Sequence, residues 1–193
     1  DPPGPPTDIT AADEKPPTTS DAASVRMAVA LAFPVVGAAV MAGGIFDGIS
    51  PRFYAGVAGV LGVALGVGVS RLGRRPLLTY LAVVVGLFAI GALMVLPSGP
   101  GDVLRVHRLA ADAASTGNVL RPPVEFEVGW RAIIGWLLGT VGFGSVWLAV
   151  VVRRPSLGLL APMPIAALCG ISVPSSAQVA SGLAVLVLFA VGL

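Results

Sequence analysis

The chain has 193 residues, of which 55% are hydrophobic and only 11% charged, with a net charge of +2 and a mean hydropathy of +0.91. A soluble domain carries about 25% charged residues, so this composition excludes a water-covered globule and points to an all-α, polytopic membrane protein. The twelve basic residues are scattered rather than striped, which argues against a nucleic-acid partner, and the single cysteine, Cys169, excludes an internal disulfide or a Cys-cluster metal site.

Residues 1–23, DPPGPPTDITAADEKPPTTSDAA, are acidic and rich in Pro and Thr. They hold too little apolar surface to order themselves and are predicted to form a disordered cytoplasmic tail. A signal peptide needs a positive start, so the first apolar run is expected to remain as a membrane helix. Six such helices are predicted within a transmembrane domain covering residues 24–193, since each needs about 20 apolar residues.

The first spans 27–45 and contains Pro34, tolerable where neighbouring helices satisfy the freed carbonyl. FDGISPRF (46–53) is a tight turn, and the second helix covers 54–70. RLGRR leads into the third, 77–96. A polar excursion follows at 97–130, and the fourth helix spans 132–152. The fifth, 157–173, carries Pro162 and Pro164, and after PSSAQ the sixth begins near Val179. A start without methionine and an end within an apolar run lead to the expectation that the chain is part of a larger protein.

Lys and Arg in short loops mark the cytoplasmic side. With the N-terminus inside, the short inner loops carry Arg71, Arg74, Arg75, Arg153 and Arg154, whereas the short outer loop carries Arg52 alone. Both RRP turns then become cytoplasmic hairpins whose arginines sit at anionic head groups. Pro76 and Pro155 open the next helices, where a missing N–H costs nothing. The likeness of GRRPLLTYLA to VRRPSLGLLA is also compatible with a parallel duplication.

Ionisable side chains at mid-depth would mark an ion or proton path, and the predicted helices hold none. Asp47 falls in the turn after the first helix. Glycine is abundant instead. Gly62 with Gly66, and Gly135 with Gly139, form small-xxx-small faces suited to close helix packing, within one chain or between copies.

In the excursion, Asp102 is placed as an N-cap and Gly117 as a helix stop. Val103, Val106, Leu109, Ala110 and Ala113 recur at helical spacing, so a short amphipathic helix is expected to lie on the outer membrane surface. VEFEV then alternates, with Val124, Phe126 and Val128 opposite Glu125 and Glu127, and Trp130 is expected to anchor the fourth helix at the interface. For His107 a metal site would need further ligands beside Glu125 and Glu127, and a nucleophile–base pair would need a nucleophile; Glu125 and Glu127 could form a glycosidase-like acid pair, but carboxylates on a solvated strand are commonly just solvated. No catalytic, cofactor-binding or metal-binding residue is assigned.

Six helices with a cytoplasmic start, a long excursion after the third and the Arg153-Arg154-Pro155 turn after the fourth make an outline that resembles the N-terminal membrane region of bacterial transglutaminase-like membrane proteins, particularly actinobacterial ones. The resemblance implies a plasma-membrane anchoring domain that precedes an extracytoplasmic domain with a Cys-His-Asp triad. No triad position maps onto Cys169 or His107. An even helix count departs from that plan, because a further crossing must precede any outer domain. The implied partners are the lipid bilayer and a downstream domain of the same chain or a membrane partner. The competing reading is a stand-alone scaffold, or the permease subunit of an exporter of apolar substrates, with an ATPase on the arginine turns.

Overall fold

The computed structural model describes residues 19–72, 75–117 and 122–192. Its helices are α1 (Thr19–Gly43), α2 (Ser50–Ser70), α3 (Pro76–Val95), α4 (Pro100–Leu104), α5 (Val106–Gly117), α6 (Val128–Val146), α7 (Pro155–Leu160), α8 (Met163–Ser172) and α9 (Ser175–Gly192). Among the described residues there is no strand, only an isolated parallel bridge between Phe46 and Val124. The protein is an all-α bundle.

Five stretches are long and apolar enough to cross a bilayer: Val25–Gly43, Ser50–Ser70, Pro76–Ser98, Val128–Val151 and Pro155–Ser172; the last apolar helix is shorter, Gln178–Gly192. Val- and Gly-rich segments are indifferent helix formers in water. In hydrocarbon each backbone N–H and C=O must be satisfied within its own segment, which leaves the helix as the spanning solution. The side-chain exposure fits a bilayer as solvent. Leu77, Tyr80, Leu81, Val84, Val85 and Phe88 of α3, and Val179, Leu183, Leu186 and Val187 of α9, all face outwards, an apolar surface that water would not tolerate.

Several predicted boundaries move. α1 begins at Thr19, inside the predicted 1–23 tail, so at least its last five residues join the helix; residues 1–18 and Arg74 lie outside the described residues. α2 starts at Ser50, because Pro51 at the first helical turn nucleates it ahead of Tyr54. α6 closes in a π-helical turn, Trp147–Val151, in which Val152 N–H donates to Trp147 O at 3.1 Å. The predicted fifth helix is broken into α7 and α8 at Ala161 and Pro162, where Pro162 and Pro164 remove backbone donors. Pro34 leaves α1 continuous. It packs against Gly192 of α9, where a Cβ would stand 2.8 Å from both the Ala30 carbonyl oxygen and Pro34 Cδ.

α2 and α6 form the middle of the bundle and run parallel, with α1 and α3 antiparallel beside them. Their backbones come together at glycine. A Cβ on Gly62 would lie 2.8 Å from Gly139 Cα, and one on Gly142 would collide with the Gly59 carbonyl oxygen and come within 2.9 Å of Val63 N. Gly66 faces Val146, and Gly59 faces Val35 of α1. Gly135 meets Met94 and Gly91 of α3, and Gly139 also touches Ile90. Around these crossings Leu31, Val35, Leu138 and Val146 are fully buried.

Candidate functional site at the excursion end

The up-and-down path gives the bundle two unlike ends. One end gathers Arg26, Arg71, Arg75, Arg153 and Arg154, all exposed, on the first third of α1, the α2–α3 turn and the α6–α7 turn. Arg153 takes a left-handed backbone conformation, φ 58°, and Arg154 N–H donates to Leu148 O at 3.0 Å, closing the turn. The other end carries the excursion and mixes both signs: Arg52, Arg105, Arg108 and Arg131 with Asp47, Asp102, Asp112, Glu125 and Glu127.

The excursion is held by backbone and aromatic contacts. Asp47 N–H donates to Val124 O at 3.0 Å, and Val124 N–H donates to Ile45 O at 3.1 Å. This pairs the α1–α2 turn with the segment before α6. Phe46, 8% exposed, is the hub. Its ring centroid lies 5.2 Å from that of Phe126, edge-on, and 5.5 Å from that of Trp130. Tyr54 of α2 sits 5.7 Å from Phe126. The Arg131 guanidinium lies over the cluster, 5.3 Å from the Tyr54 centroid and 5.7 Å from that of Phe126, and donates to Ser98 Oγ at 3.0 Å. One side chain thus ties α2, the end of α3 and α6 together.

α5 packs one face against the protein. Val106, Ala110 and Ala113 are buried, and Gly129 at the start of α6 sits where a Cβ would collide with the Leu109 carbonyl oxygen. The missing side chain at Gly129 lets α6 reach the α5 backbone, so the apolar face predicted for lipid is covered by protein. The helix is also broken at Arg105. Gly99 occupies the N-cap position of α4 and places Asp102 in its first turn, where the carboxylate meets the positive end of the helix instead of capping it. Gly117 is the last residue of α5, and Trp130 packs against it: a Cβ there would lie 2.8 Å from the indole ring.

Val124 is buried, Phe126 half-buried, and Glu125 and Glu127 are exposed. His107 is exposed on α5. Asp112 and Glu127 share the lining of a cleft of about 340 Å³ with Thr116. That hydroxyl donates to backbone carbonyls of α5, to Ala113 O at 3.0 Å, so it is committed to the helix. Among the described residues no three His, Cys, Asp or Glu side chains converge as a metal site. Cys169 is a half-buried free thiol on α8, packed against the main core cluster.

Of the residues singled out from sequence, Arg71, Arg75, Arg153 and Arg154 share one end, and Trp130 joins the aromatic cluster at the other. Gly62 meets Gly139, Gly66 packs on Val146 of the same helix α6, and Gly135 faces Met94 and Gly91 of α3. The sequence reading missed Phe46, Tyr54, Arg131, Gly129 and Gly142. A faint signal existed in Arg131, which follows Trp130 and lies five residues after its ring partner Phe126, but its nearer ring partner, Tyr54, lies far away in sequence. Arg131→Gln is expected to lower stability by about 1 kcal/mol, the scale of a partly desolvated cation–π contact. Thermal unfolding in detergent, with Tyr54→Leu as the second arm of a double-mutant cycle, should show coupling between the two sites.

Comparisons with protein-family models, with curated proteins and with solved structures found no match to the chain.

Proposed function

We propose that the chain is a membrane-anchoring domain of the plasma membrane. Its N-terminus and arginine end face the cytoplasm, and its excursion end supports whatever is attached outside. The observation that carries the orientation is the charge asymmetry between the two ends: exposed arginines in short turns at one, mixed charges in a built cap at the other. The anchoring role is supported by the bundle interior. Among the described residues its buried polar side chains are Ser145 and Ser181, and Ser145 Oγ donates to Val141 O at 2.9 Å. An ion path needs polar stations across the membrane, whereas an anchor does not. The fuller form of this reading rests on the resemblance in helix layout, and places a transglutaminase-like, extracytoplasmic catalytic domain beyond these helices.

Labelling of single cysteines in a Cys169→Ser background tests the orientation. A membrane-impermeant maleimide should label Thr116→Cys in intact cells, and Ser156→Cys only after permeabilisation. The reverse pattern would overturn the orientation. Intact mass of the native polypeptide, with sequencing beyond Leu193, tests the fuller form: a soluble Cys-His-Asp domain is expected. A chain without one would leave the scaffold or permease reading.

A further inference from the structure

A lateral groove of about 410 Å³ runs along α2. It is lined by Val36 of α1 and by Phe53, Gly56, Val60 and Leu61, with Arg52 at its end. Gly56 keeps it open, since a Cβ there would meet no atom within 4 Å. Phe53 is 69% exposed and Val60 45%, so the groove opens to the bilayer side of the helix. From Arg52 to Leu61 the helix rises about 13 Å at ~1.5 Å per residue. One leaflet contributes about half of the ~30 Å hydrocarbon core, so the groove has the length of one acyl chain in one leaflet.

Arg52 differs from the other arginines of this end. Its backbone is pressed onto α1 through Gly43, where a Cβ would fall 2.5 Å from Arg52 Cα and 2.9 Å from its Cγ. The stem is therefore pinned and does not snorkel freely into water. Its Nε is buried and has no hydrogen-bond partner among the described residues. Arg131 Nε is also buried without a partner, but that guanidinium is served by two ring faces and Ser98. Among the described residues no carboxylate accepts from Arg52 Nε; Asp47, in the same turn, is exposed. The N-terminus of α2, a helix of 21 residues, adds its positive end beside Arg52.

A pinned guanidinium at the head of an apolar groove one leaflet deep matches an anion carrying a hydrocarbon chain. We propose that the α2 groove binds one molecule of an anionic glycerophospholipid. Its phosphate accepts from the planar fork of Arg52, and one acyl chain lies over Gly56 towards Leu61.

The test is native mass spectrometry of the whole chain released from nanodiscs of equal phosphatidylcholine and phosphatidylglycerol. The wild type should retain phosphatidylglycerol about tenfold over phosphatidylcholine, the scale of one charge-assisted hydrogen bond. Arg52→Gln should abolish the preference, and Arg105→Gln, an exposed cation of the same end, should keep it. Gly56→Leu, whose Cβ would meet no atom within 4 Å, extends a side chain into the groove and should lower retention of both lipids, which decides the matter even where Arg52→Gln folds poorly. Equal retention of the two lipids by the wild type would overturn the proposal. So would an unchanged preference in Arg52→Gln, or displacement by inorganic phosphate alone. A dimer lost in Gly56→Leu would assign the groove to a second copy of the chain instead.

Discussion

Gly142→Leu is expected to separate α2 from α6 and destabilise the bundle by about 3 kcal/mol or more, the upper range for overpacking a close-packed core. The reason is positional. A first side-chain carbon at Gly142 already collides with the Gly59 carbonyl oxygen and approaches Val63 N to 2.9 Å. These are backbone atoms, which no rotamer change can move aside. Gly62→Ala should act in the same direction, because its Cβ would meet Gly139 Cα and carbonyl carbon at 2.8 Å. Gly144→Ala and Gly68→Ala supply the control. Neither Cβ would meet an atom within 4 Å, so removal of a flexible glycine from a helix should stabilise by about 0.5–1 kcal/mol. Equilibrium unfolding in mixed detergent micelles reads both signs on one scale. Equal effects at Gly142 and Gly144 would show that the packing face is not the one described.

Phe46→Ala is the second large effect, a loss of about 3–5 kcal/mol, as for other buried phenylalanines truncated to alanine. Phe46 touches both Phe126 and Trp130, and its neighbours Ile45 and Asp47 make the backbone bonds to Val124. Truncation should therefore loosen the cap more than the membrane helices. Hydrogen exchange gives the local reading: the Val124 and Asp47 amides should lose protection, while those of α2 and α6 remain slow. Phe88→Ala, on the lipid-facing side of α3 and 54% exposed, should change stability by less than about 0.5 kcal/mol. Unchanged protection at Val124 in Phe46→Ala would mean that the excursion is held elsewhere.

The excursion shows what an apolar stripe leaves open when it is read from sequence. Val106, Ala110 and Ala113 recur at a spacing that marks an apolar stripe, and a stripe must be covered. Its periodicity does not say by what. Gly129 decides, because the absence of a side chain there brings α6 onto the α5 backbone before lipid can take that face. The aromatic cluster was less legible still. Phe46 and Tyr54 lie on one stretch and Phe126 and Trp130 on another far along the chain, and only the pairing of the α1–α2 turn with Val124 brings them together.

The helices themselves are a different case. Runs of about 20 apolar residues have one low-energy form in hydrocarbon, with every backbone group bonded inside the segment. Their existence, their number to within one, and their bracketing by Arg and Pro therefore follow from sequence alone. The rotation of each helix about its axis does not. These helices are apolar all round, so hydrophobicity leaves every face equally content with lipid. What selects the inward face is the depth to which two backbones can approach. That depth depends on pairs such as Gly62 with Gly139 and Gly59 with Gly142, whose members belong to different helices and meet only once the bundle has formed.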